Sequence, residues 1–460
     1  MTDRDSSPLD RTFGGPLRGG GEWLLEVPEA FSGTVCLYSA GYGGSSDPRP
    51  NVAGGDETRR VLLERGYAVA GSRTVSGGWI VGDALVDQAE TVEAVRETLG
   101  DDIRIIAWGH SMGGLITAGL AERAPGLIDG AVPFCASVAG AVPMLNQGLD
   151  AAFAVKTLCF ADERLDLVDV TSDDRARLEE GRELIERARR TPVGRARVAF
   201  AAALAQIPTW TVDNMFSSGD AGPEPSTDDI EALLKNQASV LPYVAFSPRV
   251  DLERRAGGNF SWNTGVDYAE QLRLSGFADL VAEAYRRADA DLDADLAALA
   301  RAARISADDG PVAFMERNLT PIGEIGVPVL TVAITGDFAP TLSQSSAYAD
   351  VVAESGRSDL LQRSYIHAPG HCGALSAAEI VAGIDTMDAR LSSGEAPDAS
   401  ATAMNVRASD IARAHHVDPA HPPAFVDIEP PPHVRPHPHS ARRAAPSTAI
   451  TDTTTRGDVR

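Results

Sequence analysis

The feature that most constrains this fold is a serine set among glycines, in the segment IIAWGHSMGGLI at residues 105–116. An apolar run typical of a strand (103–109) precedes the serine, and a run with helical spacing (113–126) follows it. A serine at a sharp strand-to-helix turn holds its hydroxyl above the sheet, and flanking glycines relieve the crowding of the backbone there. The pattern predicts a nucleophile elbow. Its residues are Gly109, His110, Ser111, Met112 and Gly113, with Gly114 allowing close packing of the helix.

Short apolar runs with strand character alternate with helical patterns on either side of this elbow. The strand patterns lie at 22–27, 34–40, 67–72, 103–109, 130–137, 327–335 and 362–368. The helical patterns between them lie at 56–66, 84–100, 113–126 and 343–356. This alternation predicts an α/β fold, with a mostly parallel central sheet covered by helices on both faces.

The alternation of strand and helical patterns stops after Ser137 and resumes near residue 327. This interruption divides the chain into a core and an insertion. The interval is mainly helical in pattern, notably at 173–190, 227–241 and 268–305. Residues beyond 393 are rich in proline and histidine and predict a partly disordered tail, with 424–432 as an extended strap. The predicted parts are an N-terminal extension (1–20), a core (21–137 and 327–392), a helical insertion (138–326) and a tail (393–460).

Composition excludes several classes of partner. The formal net charge is -24, so nucleic acid and anionic membrane surfaces, which require clustered positive charge, are not expected. No apolar run reaches the roughly 18 to 20 residues that span a bilayer. The N-terminus lacks the apolar segment of a secretory signal, and the four cysteines form no CxxC pair. These features predict a cytoplasmic protein without a metal site or a cofactor.

A serine hydroxyl needs a base before it can act as a nucleophile, and histidine is the usual one. Before residue 400 the histidines are His110, His367 and His371, and His110 is expected to point away from the raised serine. The segment YIHAPGHCGAL follows the last predicted strand. His371 lies on the loop side of this segment and is the preferred base. His367, at the end of the strand, is the alternative.

The third member of such a group is a carboxylate that orients the imidazole. Asp337, in ITGDFAPT, directly follows a predicted strand and gives the chain order Ser, Asp, His. Asp359 is a rival in a less favourable loop.

Charge that develops on a substrate oxygen requires backbone N–H donors. Met112 supplies one by its position, and Tyr42, in the glycine-rich LYSAGYGGSS, is the second candidate. Trp79 is a candidate for the pocket wall, or else belongs to a surface turn.

Taken together, GHSMGG, SAGYGG, ITGDFAPT and PGHCG make the chain resemble the α/β-hydrolase superfamily, in its serine esterase and lipase-like branch. The chain departs from that pattern at Ala40, where many relatives have histidine, and in the short Gly336-Asp337 spacing. The resemblance implies that 138–326 is a large cap over the active site. It also implies a partly apolar pocket. Aromatic residues of the cap are candidates for its lining, although such residues more often belong to the core of a cap than contact a substrate. They are Trp210, Phe216, Phe246, Phe260 and Trp262.

The function predicted from this resemblance is hydrolysis of small to medium carboxylic esters through an acyl-enzyme on Ser111. The alternatives are a peptidase or amidase similar to the prolyl oligopeptidase group, an acyltransferase with the same triad and, last, a non-enzymatic protein with this fold. The expected partner is a small-molecule ester, and the sequence is compatible with a homodimer. Clustered histidines in the tail (HHVDPAHPP and HVRPHPH) fit a polar tail better than a zinc motif.

Overall fold

The computed structural model describes residues 9–43, 49–124, 126–212, 223–247, 249–318, 320–373, 375–417 and 422–435. One sheet organises these residues. Its strands are Leu9–Pro16 (β1), Glu22–Pro28 (β2), Thr34–Ser39 (β3), Ala68–Arg73 (β4), Arg104–His110 (β5), Gly130–Phe134 (β6), Val329–Gly336 (β7), Leu361–Pro369 (β8) and Phe425–Val426 (β9).

The sheet has the strand order β1-β2-β4-β3-β5-β6-β7-β8-β9. Strands β4, β3, β5, β6, β7 and β8 run parallel, whereas β1, β2 and β9 pair antiparallel with their neighbours. The central strands are buried on both faces, which explains their nearly continuous apolar sequences. The predicted α/β fold with a mostly parallel sheet is confirmed.

Helices fill the connections between these strands. They are Asp56–Glu64 (α1), Val81–Leu99 (α2), Met112–Arg123 (α3), Ala141–Cys159 (α4), Asp174–Ala188 (α5), Pro192–Leu204 (α6), Ile230–Phe246 (α7), Val250–Ala256 (α8), Tyr268–Leu274 (α9), Ala278–Ala288 (α10), Leu292–Arg301 (α11), Asp309–Arg317 (α12), Ser343–Glu354 (α13), Ala377–Ser393 (α14) and Ala401–Ala414 (α15), with a short 3-10 helix at Ser358–Leu360.

Alternate residues of the strands enter two hydrophobic layers on opposite faces of the sheet. Val35 and Leu37 of β3 join the layer that holds α2, α3 and α13. Cys36 and Tyr38 join the layer that holds α1, α14 and α15. This alternation follows from the two-residue period of a strand. Because the strands from β3 to β8 run parallel, their carboxyl ends lie at the same edge of the sheet, where loops can carry functional side chains.

The helices α4 to α12 lie between β6 and β7, where the helical insertion was predicted. Most of them share a separate hydrophobic core. The segment 268–305 is mostly helical, as predicted, and it is divided into three helices. Gly276, at φ +85°, and Asp289, at φ +51°, turn the backbone out of the helical region, and Asp291 caps the next helix by accepting from the Ala294 amide.

Two terminal predictions also need correction. The expected N-terminal extension contributes β1, which pairs with β2 at the sheet edge; its glycines and proline concealed a strand that has only one neighbour. Within the predicted irregular tail, residues 401–414 form α15, capped by Ser400 and packed on α14. The strap 424–432 contributes β9 beside β8, and the Pro430 carbonyl accepts from the Ser346 hydroxyl.

Across the described residues, no helix combines the length and the apolar character that a membrane crossing requires.

Candidate active site

Ser111 lies between β5 and α3 with φ +58° and ψ -123°, a backbone conformation that residues other than glycine rarely adopt. The glycines around it permit a close approach of neighbouring backbone. A Cβ on Gly109 would lie 2.5 Å from Ser39 O, and a Cβ on Gly113 would overlap Ser39 O. A Cβ on Gly114 would overlap Ala136. The local sequence therefore folds as the strand, sharp turn and helix that the motif predicts.

A chain of two hydrogen bonds joins Ser111, His371 and Asp337. The Ser111 Oγ lies 2.9 Å from His371 Nε2, and His371 Nδ1 lies 2.7 Å from Asp337 Oδ2. An ionised carboxylate can only accept, so Nδ1 donates to Asp337 and Nε2 is left to accept from the serine hydroxyl. The structure thus brings together the three residues that the sequence singled out, which are separated by up to 260 positions in the chain.

The ends of β7 and β8 place the acid and the base. Asp337 directly follows β7, and its Oδ1 accepts from the Ala339 amide at 3.0 Å. His371 follows β8, and the Gly370 amide donates to Gly336 O at 3.0 Å, which ties the two loops together. His371 and Asp337 are only 2% and 1% exposed. Packing and hydrogen bonds therefore hold the imidazole in one orientation.

Electrostatics distinguish His371 from the other histidine beside the serine. Burial alone lowers the pKa of His371, but the charge and the hydrogen bond of Asp337 outweigh burial and raise that pKa to about 8. Burial raises the pKa of Asp337, and the imidazole opposes this effect. His110 has no carboxylate partner, and desolvation among aromatic rings lowers its pKa to about 4. Of the two histidines beside the serine, His371 is the one that can take a proton near neutral pH.

The alternative residues lie elsewhere. His367 is exposed on β8, where its Nε2 contacts Glu224 Oε2 at 3.0 Å and its Nδ1 contacts Thr335 Oγ1 at 3.1 Å. Asp359 is exposed in the short 3-10 helix, and its carbonyl accepts from Arg390. The His110 ring packs against Trp108 and Phe134 without a hydrogen bond to Ser111, although it also reaches the cavity wall described below.

The two predicted oxyanion donors flank the serine. Met112 is the first residue of α3, so its amide has no acceptor within the helix. The segment Gly41 to Gly43 passes over Ser111, and a Cβ on Gly41 would lie 3.8 Å from Ser111 Cβ. Tyr42 lies in this segment with its ring 6.3 Å from that of Trp79. The role of the Tyr42 amide as a donor stays a prediction.

Ser111 and His371 open into a cavity of about 740 Å³ between the sheet and the helical insertion. Trp79, 7% exposed, forms part of its wall. The insertion covers the other side with mostly apolar residues of α4, α5 and α7. These are Met144, Leu145, Leu178, Tyr243 and Val244. Such a mostly apolar cavity with a few polar groups is typical of a small-molecule site.

The candidate cap aromatics that the structure describes do not line the cavity, in agreement with the preference for core positions. Phe246 and Phe260 are buried in hydrophobic cores, and Trp210 and Trp262 are absent from the described cavity wall. Phe216 lies outside the described residues. Aromatic composition indicates burial in general, and it cannot tell a core position from a cavity wall.

Sequence reasoning missed two thiols beside the base. Cys372 Sγ lies 3.3 Å from His371 Nε2 and 2.9 Å from Cys135 Sγ. Within the described part of the chain, Cys135, His371 and Cys372 form the group whose ligand atoms are close enough to hold a metal ion. Burial raises the pKa of the Cys372 thiol well above its usual value, so the thiol stays protonated at neutral pH. The cysteine that directly follows His371 was the available signal.

Comparison with known proteins gives three kinds of match. A family model described as serine aminopeptidase, S33, matches residues 75–216. An o-phthalyl amidase from Xanthobacter agilis is 29% identical over 423 residues, which cover 85% of this chain and 89% of that protein. Among solved structures, feruloyl esterase B from Aspergillus oryzae aligns with a TM-score of 0.38 and 14% identity, covering 84% of this chain and 81% of that one.

A Pyrococcus furiosus esterase aligns with a TM-score of 0.36 and 11% identity, covering 83% of this chain and 89% of that one. The fold is identified by the sheet order, by the serine at the strand-to-helix turn and by the family model that spans this turn. On these grounds the chain has the α/β-hydrolase fold.

Proposed function

We propose that this chain is a serine hydrolase that cleaves carboxylic amides and esters of small to medium, partly apolar acids through an acyl-enzyme on Ser111. The observation that carries the proposal is the hydrogen-bonded series Ser111, His371 and Asp337 at the floor of a largely apolar cavity. The expected partner is a small-molecule substrate.

In the proposed reaction, Ser111 Oγ attacks the substrate carbonyl carbon while His371 Nε2 takes the hydroxyl proton. The tetrahedral intermediate collapses, the bond to the leaving amine or alcohol breaks, and His371 returns the proton to that leaving group. Water then attacks the acyl-enzyme with His371 again as base, which releases the acid and restores the serine. Asp337 stabilises the imidazolium in each half-reaction, because its carboxylate lies 2.7 Å from Nδ1.

Amides are included for a specific reason. The relative that matches most of the chain is named an o-phthalyl amidase, and it supports an amide substrate with an aromatic acyl group. Esters stay in the proposal because the same acyl-enzyme forms from either bond, and an ester carbonyl is less stabilised by resonance than an amide carbonyl and is attacked more readily. The cavity of about 740 Å³ has room for a monocyclic aromatic acyl group.

The test is a substrate panel in which p-nitrophenyl esters and p-nitroanilides carry the same acyl groups, from acetyl to benzoyl, together with phthalyl amides. We expect turnover of both bond types, loss of turnover in Ser111→Ala, and labelling of wild type by a fluorophosphonate. Labelling without hydrolysis would favour peptidase or acyltransferase chemistry. The absence of both labelling and hydrolysis would contradict the proposal and would favour a non-enzymatic protein.

A further inference from the structure

Arg175 differs from the rest of the cavity wall. Among the described residues that line the cavity, it has the one permanently positive side chain. It lies in the first turn of α5, and Leu178, three residues later on the same helical face, also lines the cavity. This face of α5 therefore lines the same cavity as Ser111.

The Arg175 side chain is exposed and has no hydrogen bond or ion pair to any described residue, whereas several other arginines of the same segment do have partners. The paired arginines are Arg177 with Glu180, Arg182 with Glu179, Arg187 with Glu163 and Arg189 with Glu186. Acidic residues outnumber basic ones by 65 to 41 in this chain. Water can solvate the exposed guanidinium of Arg175, so a ligand that binds there displaces water and breaks no contact within the protein.

The position of Arg175 is also unfavourable for the helix itself. Positive side chains near a helix N-terminus oppose the helix dipole, which favours anions there. Arg175 is the second residue of α5, after the capping Asp173 and after Asp174. A residue whose charge is unfavourable for its own helix, with no stabilising contact in return, is typical of a functional site. The N-terminus of α5 is already capped by Asp173, so the positive charge of Arg175 is the feature that would attract an anion at this wall.

The nearby carboxylates are already occupied. Asp174 also lines the cavity, but its two oxygens accept from the amides of Val250, at 2.8 Å, and Asp251, at 3.4 Å. The Asp251 carboxylate pairs with Arg254 and Arg255. Neither acid satisfies Arg175, so its guanidinium is available to a ligand in the cavity. A planar guanidinium binds a carboxylate through two parallel hydrogen bonds.

We propose that Arg175 binds a carboxylate carried by the substrate, so that the preferred substrates are amides or esters that are mostly apolar and bear one carboxylate. This inference rests on the proposed function for its reaction and adds the substrate class. The apolar residues of the wall contact the ring or chain of the acid. Of two substrates that differ only by one carboxylate, Arg175 favours the one that carries it. Arg175 acts on specificity and takes no part in the proton transfers at Ser111.

The first test compares kcat/KM for 2-carboxybenzoyl and benzoyl anilides. Wild type should prefer the carboxylate substrate, and Arg175→Ala should reduce that ratio by roughly 10-fold to 100-fold, which corresponds to the loss of one charge-assisted hydrogen-bond pair. Arg175→Lys should restore part of the ratio. Arg182→Ala, which removes an exposed, paired arginine of the same helix, is the matched control and should keep the wild-type ratio.

A third substrate, benzoyl-4-aminobenzoate, carries the carboxylate on the leaving group. If the preference and its loss in Arg175→Ala appear with this substrate instead, the carboxylate subsite stands on the leaving-group side. An equal change of all ratios in Arg175→Ala and Arg182→Ala, or no change in either, would overturn the proposal.

Binding separates this proposal from the proposed hydrolysis. In a Ser111→Ala background, calorimetry should show tighter binding of the 2-carboxybenzoyl anilide than of the benzoyl anilide, and the added Arg175→Ala should remove the difference. If wild type hydrolyses neither substrate but this difference is present, the proposed function fails and the subsite stands. If both substrates are hydrolysed with Ser111 but bind equally in the two backgrounds, the subsite fails and the proposed function stands.

Discussion

Replacing Asp337 with asparagine tests the electrostatics of the site in depth. Asp337 is 1% exposed and accepts from His371 Nδ1 at 2.7 Å. Asparagine keeps the shape but removes the charge, and its amide favours the imidazole tautomer with the proton on Nε2, which cannot accept from Ser111. The variant should therefore fold normally and lose the base.

The structure contains its own reference for the size of this effect. The pKa of His371, buried beside a carboxylate, is about 8, and that of His110, buried without one, is about 4. His371 also lowers the pKa of His110, so the difference of about four units, at about 1.4 kcal/mol for each unit, sets about 5 kcal/mol as the upper bound for imidazolium stabilisation by Asp337. If most of this is lost in the transition state, kcat/KM should fall by about 10³-fold to 10⁴-fold.

The assay is kcat/KM on a p-nitrophenyl ester between pH 5 and pH 9, with thermal melting to confirm folding. In wild type, activity should rise with pH through about 8, because the base must be neutral and its folded pKa is raised. In Asp337→Asn the residual activity should rise at lower pH. The control is Asp359→Asn, an exposed acid away from the cavity. A folded Asp337→Asn that keeps more than about a tenth of wild-type activity would refute this reasoning.

Neighbouring side chains allow further tests. His371→Ala should lose at least about 10³-fold in kcat, whereas His367→Ala should stay near wild type, since His367 is exposed and bonded elsewhere; an inactive His367→Ala would reverse the assignment. Cys372→Ser should stay active, and iodoacetamide at pH 7 should not inhibit, because burial keeps the thiol protonated; inhibition would indicate a thiolate. Arg435→Ala should lower the free energy of unfolding in urea by about 3 kcal/mol, since buried Asp150 loses its ion-pair partner and keeps only the hydrogen bonds from Tyr268 and Gln271; an unchanged midpoint would contradict this.

The sequence predicted the central strands and the elbow well because both depend on local patterns. Strands β3, β5 and β6 are buried on both faces and must be apolar throughout. Strand β1 was missed because an edge strand with one neighbour tolerates glycine and proline. Helix α15 was missed because its interactions come from distant packing on α14.

The meeting of Ser111, His371 and Asp337 could be predicted because parallel strands end at one edge of the sheet. Their catalytic roles stay a prediction that the experiments above address. Cys135 could not be foreseen beside the base, since only the tertiary fold brings it to Cys372. The same holds for the cavity wall, because the packing of the insertion over the sheet decides which of its residues, such as Arg175, face Ser111.

The most direct measurement of the central claim is the location of the covalent adduct after a fluorophosphonate reacts with the protein, determined by intact mass and peptide mapping. We predict one adduct per chain on Ser111 in wild type and in Cys372→Ser, and neither adduct nor turnover in Ser111→Ala. An adduct on any other residue, or turnover that persists in Ser111→Ala, would contradict the account.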